Sequence, residues 1–274
     1  MGTGMDWEQA LEIDPEVVAD RLEAFIRDEM MRAGFGRLVV GLSGGIDSAV
    51  SCALAVRALG PQNVTALIMP YSSSNPENVR DAKNLAAQLG ITAITVDITP
   101  MVDAYYEGYP DADQVRRGNM MARQRMAVLY DFSPQLDALV LGTGNKTEAM
   151  LGYTTMFGDN ACAFNPVADL FKTQVRRLAA WLDIPQAIIT KAPSADLWAG
   201  QTDEEELGLT YEMADRILHG LCNLRLAPEA LSAPPYDLAA DAVDKVVGLI
   251  RSMRFKRSLP AAARITDGPY EPDL

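Results

Sequence analysis

The chain has 274 residues, 49% hydrophobic and 22% charged, and a formal net charge of -13 from 24 basic and 37 acidic side chains. Its size and apolar content are enough to bury one large core, with at most a small appendage. The acidic balance excludes broad contact with nucleic acid or an anionic membrane surface, and no apolar run reaches the length of a membrane span.

Helical spacing over Pro15 to Met31 puts Val18, Leu22, Phe25, Ile26 and Met30 on one side, with Asp14 as cap and Pro15 at the first position. A strand follows at 37–42, then a Gly-rich loop and a helix to Leu59, ended by Gly60-Pro61. Val64 to Met69 reads as a second strand, Pro76 to Leu89 as a helix stopped by Gly90, and Ile91 to Ile98 as a third strand. A long helix is expected over Asp113 to Tyr130 and a strand over Ala138 to Leu141. Beyond Gly152 the pattern is helical: Phe171 to Leu182, introduced by Asp169, then Pro185 to Ile189, Tyr211 to Leu221 and Tyr236 to Lys256. Between them Lys191 to Leu207 is a long polar loop of the kind that closes over ligands, and 260–274 reads as a tail. The basic stretch Arg251 to Arg257 is expected to be the solvated end of a helix. The alternation predicts a single α/β domain, a Rossmann-like and mostly parallel sheet with helices on both faces. Right-handed crossovers place the loops after 37–42 and 138–141 at one sheet edge.

Two clusters meet at that edge. Ser43-Gly44-Gly45-Ile46-Asp47-Ser48 joins a strand to a helix N-terminus, an anion cradle of backbone amides. A carboxylate inside such a cradle, Asp47, calls for a metal between it and a phosphate, which predicts a nucleotide polyphosphate with Mg²⁺. Thr143-Gly144-Asn145-Lys146-Thr147-Glu148 brings a helix cap at Asn145 and a second oxygen ligand, Glu148; the glycines around Thr143 leave room for a flat ligand such as adenine. Lys172 begins a helix, where the dipole disfavours a cation, so a functional reason gains weight. Asn119 and Arg123 share a helix face suited to nucleotide oxygens, with surface solvation as the alternative; Asp159 is a third acid or a turn residue. Cys52, Cys162 and Cys222 form no Cys-x-x-Cys pair and suit a reducing cytoplasm, and the single histidine, His219, leaves little scope for histidine chemistry.

The first loop resembles the pyrophosphate loop of the ATP pyrophosphatases, which include the synthetases of NAD, GMP, asparagine and argininosuccinate. The NAD⁺ synthetase family is singled out by Gly142 to Glu148, Gly152-Tyr153-Thr154-Thr155-Met156-Phe157-Gly158-Asp159, Asp169 to Val175, Lys191 to Leu197 and Gly200 to Glu204. The likeness runs from about residue 15 to 250 and implies an adenine nucleotide alpha hydrolase-like fold. It further implies that ATP adenylates the nicotinate carboxylate of deamido-NAD⁺ and that ammonia then displaces AMP. On that resemblance Ser43, Gly44, Gly45, Asp47 and Ser48 hold the pyrophosphate portion, and Asp47 and Glu148 bind Mg²⁺. Lys172 and Ser194 lie near the reacting phosphate, making Asp47, Lys172 and Ser194 the catalytic set. Thr143 and Arg123 contact ATP, and Asn119, Asp159, Lys191 and Asp203 contact the dinucleotide or close over the intermediate. Members are usually homodimers.

Val115, Met156 and Ala163 depart from the common ammonia-using pattern, and Thr155-Met156-Phe157 is closer to the glutamine-using branch. Only about 40 residues precede the loop, too few for a glutaminase domain, so the expected donor is free ammonia or a separate glutaminase. The rival readings are a related ligase acting on another carboxylate and a non-enzymatic adenine-nucleotide regulator.

Overall fold

The computed structural model describes residues 5–198 and 200–258, with 263 and 265 beyond them. The tail expected over 260–274 lies outside the described residues apart from those two positions. Helix α1 (Trp7–Ala10) precedes α2 (Pro15–Ala33), which Asp14 caps by accepting from the amides of Glu16 and Val17. Then come β1 (Arg37–Gly41), α3 (Ile46–Leu59), β2 (Val64–Ile68), α4 (Pro76–Leu89), β3 (Thr92–Thr95), α5 (Thr99–Tyr106), α6 (Gln114–Leu136), β4 (Ala138–Leu141) and α7 (Lys146–Leu151). The rest is helical: α8 (Lys172–Trp181), α9 (Gln186–Ile189), α10 (Asp203–Leu207), α11 (Tyr211–Leu218), α12 (Pro228–Leu231) and α13 (Ala240–Ser252).

The four strands are all parallel, in the order β3-β2-β1-β4. From β1 the chain steps outward to β2 and β3, then returns to add β4 on the other side. Connections therefore leave β1 and β4 in opposite directions, and a crevice opens beyond their carboxyl ends. Alternation along β1 sorts the two faces. Leu38 and Val40 pack with α2, α3, α4 and α8, and Val39 packs with α5 and α6. A third cluster, including Leu151, Phe171, Tyr211, Ile217 and Val246, binds α11 and α13 to α7 and α8. This apolar contact sets the spacing of the helices that carry the polar site.

Several elements differ from the sequence reading. α5, in a stretch to which the sequence reading assigns no element, opens with Thr99-Pro100, where a missing N–H costs nothing. α6 runs past Tyr130 and through Pro134 before Asp137 ends it in the left-handed region. The helix expected over Tyr236 to Lys256 begins only with α13 and is followed by a 3₁₀ turn at Arg254–Arg257, and the long loop folds its last residues into α10.

The basic stretch 251–257 is not simply a solvated helix end. Arg257 donates to the Ala149 and Met150 carbonyls at 3.3 and 2.8 Å and to the Ile250 carbonyl at 2.8 Å. Lys256 donates to the Gly152 and Thr154 carbonyls, each at 2.7 Å. The last carbonyls of a helix have no partner within it, and these two cations supply the donors for the end of α7. Among the described residues no helix is long and apolar enough to cross a membrane.

Candidate active site

At the crevice β1 ends and the chain turns into α3 through Gly45, whose position as N-cap brings no side-chain cap. The first helical amides are left to an incoming anion. Gly44 has φ of 82°, and a Cβ there would stand 2.2 Å from the Asn78 carbonyl oxygen, so glycine is required twice over. Two serines brace the curve. Ser48 Oγ accepts from the Ser43 amide at 3.2 Å and donates to the Gly45 carbonyl at 3.0 Å, and Ser43 Oγ accepts from the Gly45 amide at 3.2 Å.

Asp47, in the first turn of α3, is held by residues far along the chain. Asn145 Nδ2 donates to Asp47 Oδ1 at 2.8 Å across 98 residues. Asn145 is fully buried and also caps α7, accepting from the Glu148 amide at 2.9 Å, while its own amide donates to Glu148 Oε2 at 3.3 Å. Lys172 Nζ then bridges the two acids, donating to Asp47 Oδ2 at 2.5 Å and Glu148 Oε1 at 2.8 Å. Burial and the Asp47 charge push the Glu148 carboxyl up to about 7, with Lys172 pulling the other way. The Lys172 ammonium is held above the ordinary lysine range; burial opposes this, and the Asp47 and Glu148 charges prevail.

The cation-binding chemistry is thus present: two hard oxygen donors separated by the width of one ammonium. Among the described residues no group of three or more His, Cys, Asp or Glu side chains is gathered for a metal. Two carboxylates fit Mg²⁺, which keeps several waters and takes phosphate oxygens, better than an ion needing an all-protein cage.

The cleft around this cluster has a volume of about 450 Å³. Ser43, Gly45, Asp47, Ser48, Thr143, Glu148, Lys172, Lys191, Ser194, Asn119, Asp159 and Asp203 all line it, and Gly44 and Arg123 do not. Arg123 is exposed and donates to the Met156 carbonyl at 3.3 Å, whereas Arg125 is in the wall. Asn119 accepts from the Thr155 hydroxyl at 2.8 Å, and Asp159 accepts from the Thr155 amide at 2.7 Å, so one threonine ties both to the loop after α7. Lys191 is anchored to α4 and the phosphate loop, donating to Asn78 Oδ1 and Asp81 Oδ2 at 2.7 Å each and to the Gly44 carbonyl at 3.3 Å. The 191–207 segment is also fastened at Asp196, which accepts from the Asn75 amide at 3.1 and 3.2 Å. Gly142 is set by packing rather than by a ligand, since a Cβ there would meet Cys162 Sγ at 2.6 Å.

Sequence reasoning missed what holds the α8 end in place. Asp169 does not cap it; that exposed acid pairs with Lys146 at 2.8 Å. Instead Asp215, wholly buried on α11, accepts from the Thr173 amide at 2.8 Å and from the Thr147 hydroxyl at 2.5 Å. Thr147 Oγ1 in turn accepts from the Lys172 amide at 3.0 Å. No local signal marks Asp215, because its partners are 68 and 42 residues away.

A profile described as NAD synthase matches residues 18–260. The chain belongs to the NAD synthase family. The NH(3)-dependent NAD(+) synthetase of Trichlorobacter lovleyi is 47% identical over 264 residues, 96% of this chain and 96% of that one. The NMN synthetase of Francisella tularensis superposes with a TM-score of 0.83 at 35% identity, covering 93% of this chain and 100% of that one. The glutamine-dependent NAD⁺ synthetase of Acinetobacter baumannii, solved with adenosine diphosphate, gives a TM-score of 0.64 at 30% identity. That match covers 91% of this chain and 47% of that longer one. The expected fold, a parallel sheet of the nucleotide-hydrolase type, agrees with these neighbours of the NAD synthase family.

Proposed function

We propose that the cleft amidates the nicotinate carboxylate of deamido-NAD⁺ with ammonia, driven by ATP, through an acyl-adenylate that releases pyrophosphate and then AMP. The observation that carries this reading is the Asp47–Asn145–Glu148–Lys172 constellation, which joins three distant motifs at the anion-binding end of α3. ATP enters with its β- and γ-phosphates on the amides of 44–48, and Thr143 borders the adenine end. Asp47 and Glu148 hold Mg²⁺, which when bound neutralises phosphate charge and orients the triphosphate. Lys172 gives its ammonium to the phosphate as negative charge grows on it, and Ser194 is among the residues that line the same cleft. Asn119, Asp159 and the 191–203 segment receive the dinucleotide and exclude water, which would otherwise hydrolyse the acyl-adenylate. Arg123 reaches ATP only by turning in from the rim.

The protein works as a homodimer in the cytoplasm, a compartment that suits its three free cysteines. One assay tests the reading: pyrophosphate and NAD⁺ formation from Mg-ATP and deamido-NAD⁺ with ammonium, glutamine or no nitrogen source. NAD⁺ formed with ammonium alone supports it, and activity only after a glutaminase is added makes that enzyme a partner. The likeness to the Francisella tularensis NMN synthetase motivates a second reading, in which nicotinate mononucleotide is the acceptor. A higher kcat/KM for the mononucleotide than for deamido-NAD⁺ would select it.

A further inference from the structure

One carboxylate oxygen in the cleft has no hydrogen-bond partner. Asp203 is 4% exposed, and its Oδ2 accepts from the Tyr211 hydroxyl at 2.8 Å. Its Oδ1 is buried with no donor in hydrogen-bond geometry, the neighbouring Tyr153 hydroxyl being turned to Glu206 and the Lys172 charge acting on it from the Asp47–Glu148 pair. Native folds rarely leave a charged oxygen dry and unmatched, so an atom of this kind calls for an explanation. Asp203 stands in the cleft wall beside Tyr153, Gln201 and Glu206. Glu206 is already engaged, accepting from the Tyr153 hydroxyl at 2.8 Å and from Gln201 Nε2 at 3.1 Å.

The charge balance points the same way. Asp47, Glu148, Asp203 and Glu206 all line the cleft, and Lys172 is taken up by the first two. Of the other cations in the wall, Lys191 pairs with Asp81, while Arg125 and Lys256 donate to main-chain carbonyls. None pairs with Asp203 among the described residues. The neighbourhood is nevertheless suited to a cation: Lys172 Nζ already sits 5.0 Å from the centre of the Tyr211 ring.

We propose that Asp203 Oδ1 binds ammonium, the nitrogen substrate in its monovalent cationic form, within reach of the reacting groups. This deepens the function proposed above and rests on it. A divalent ion would need about six oxygen ligands, and this pocket offers one free carboxylate oxygen. Ammonium is satisfied by less: one strong acceptor for an N–H, with the Tyr211 ring carrying part of the charge.

The test uses the full chain with Mg-ATP and deamido-NAD⁺, varying ammonium at constant ionic strength. Asp203→Asn keeps an oxygen acceptor for Tyr211 and removes the charge. The expected result is a rise of at least tenfold in the ammonium KM, at least threefold greater than any rise in the deamido-NAD⁺ KM, with the ATP KM moving less than threefold. An unchanged ammonium KM, or an equal rise in all three, overturns the proposal. Should the variant fail to fold, wild-type crystals soaked in thallium(I), close to ammonium in size and charge, supply the second measurement. An anomalous peak roughly 3 Å from Asp203 Oδ1 supports the site. No peak there, or a manganese(II) peak in its place, refutes it. Failure of the functional reading looks different, as a wild type that forms no amide from ammonium, and it takes this proposal with it.

Discussion

Lys172→Met keeps the buried stem and removes the charge between Asp47 and Glu148. Burial and the Asp47 charge already raise the Glu148 carboxyl from its ordinary 4.5 to about 7 while Lys172 pulls it down. Without the ammonium the carboxyl titrates higher still. An acid whose folded pKa exceeds its unfolded one binds more protons when folded throughout the interval between them, so stability falls as pH rises through it. The interval from 4.5 to about 7 corresponds to about 3 kcal/mol, at about 1.36 kcal/mol per pKa unit. That cost is what remains with the ammonium in place, and removing the ammonium adds the loss of its pairing with both acids. We therefore expect the variant to be about 3–5 kcal/mol less stable than wild type near pH 8. Near pH 5.5 most of that deficit disappears, because Glu148 is then largely protonated. Urea unfolding in EDTA-containing buffer at the two pH values reads this directly. A deficit that is equal at both, or larger in acid, would falsify the electrostatic account of the cluster.

Gly44→Ala must place a Cβ 2.2 Å from the Asn78 carbonyl at a φ of 82°; the left-handed strain alone is about 1–2 kcal/mol, and we expect ATP affinity by calorimetry to fall at least tenfold. Unaltered affinity would show that the loop tolerates a side chain. Glu148→Gln should raise the Mg²⁺ concentration for half-maximal pyrophosphate release at least tenfold, and an unshifted titration curve removes Glu148 from the metal. Asp215→Ala strips the acceptor from the Thr147 hydroxyl and the Thr173 amide, at a cost of about 3 kcal/mol in urea and with faster hydrogen exchange at Thr173. Exchange at Thr173 as slow as in wild type would count against the clasp. Arg257→Ala deprives three carbonyls of a donor and should cost about 1–2 kcal/mol, read as a lower melting temperature; no change would mean water replaces the guanidinium.

The strand–loop–helix around Ser43 to Ser48 was legible because everything it needs is local: two valines before the turn, glycine at the tight position, a carboxylate one step into the helix. β1, β2 and β4 were legible for a similar reason, since buried parallel strands are short apolar runs with breakers between them, while β3, exposed at the sheet edge, keeps only Thr92–Thr95 of the run expected over 91–98. Asp215 was not, because a carboxylate capping a helix from another helix leaves no periodic trace. Nor was the use of Lys256 and Arg257, whose charge suggests solvent while their partners are carbonyls about a hundred residues earlier. α5 was hidden by Pro100, which serves equally as a loop marker and as a helix opener. For Asp203 the sequence marked a position near the substrate; only the coordinates revealed that one of its two oxygens is matched and the other is not.

The reach of these contacts sets when in synthesis each can form. Asp47 meets Asn145 across 98 residues and Lys172 across 125, so the phosphate loop is made long before either partner exists. A nascent chain emerged only through β3 has a glycine cradle with a carboxylate in it and nothing to hold that carboxylate. Both partners of Asp47 stand at the starts of α7 and α8, and the Asp215 that clasps those helices comes later still in the chain. A truncated product lacking α11 would keep the phosphate-loop sequence yet lose the Asp215 clasp on Thr147 and on the Thr173 amide beside Lys172.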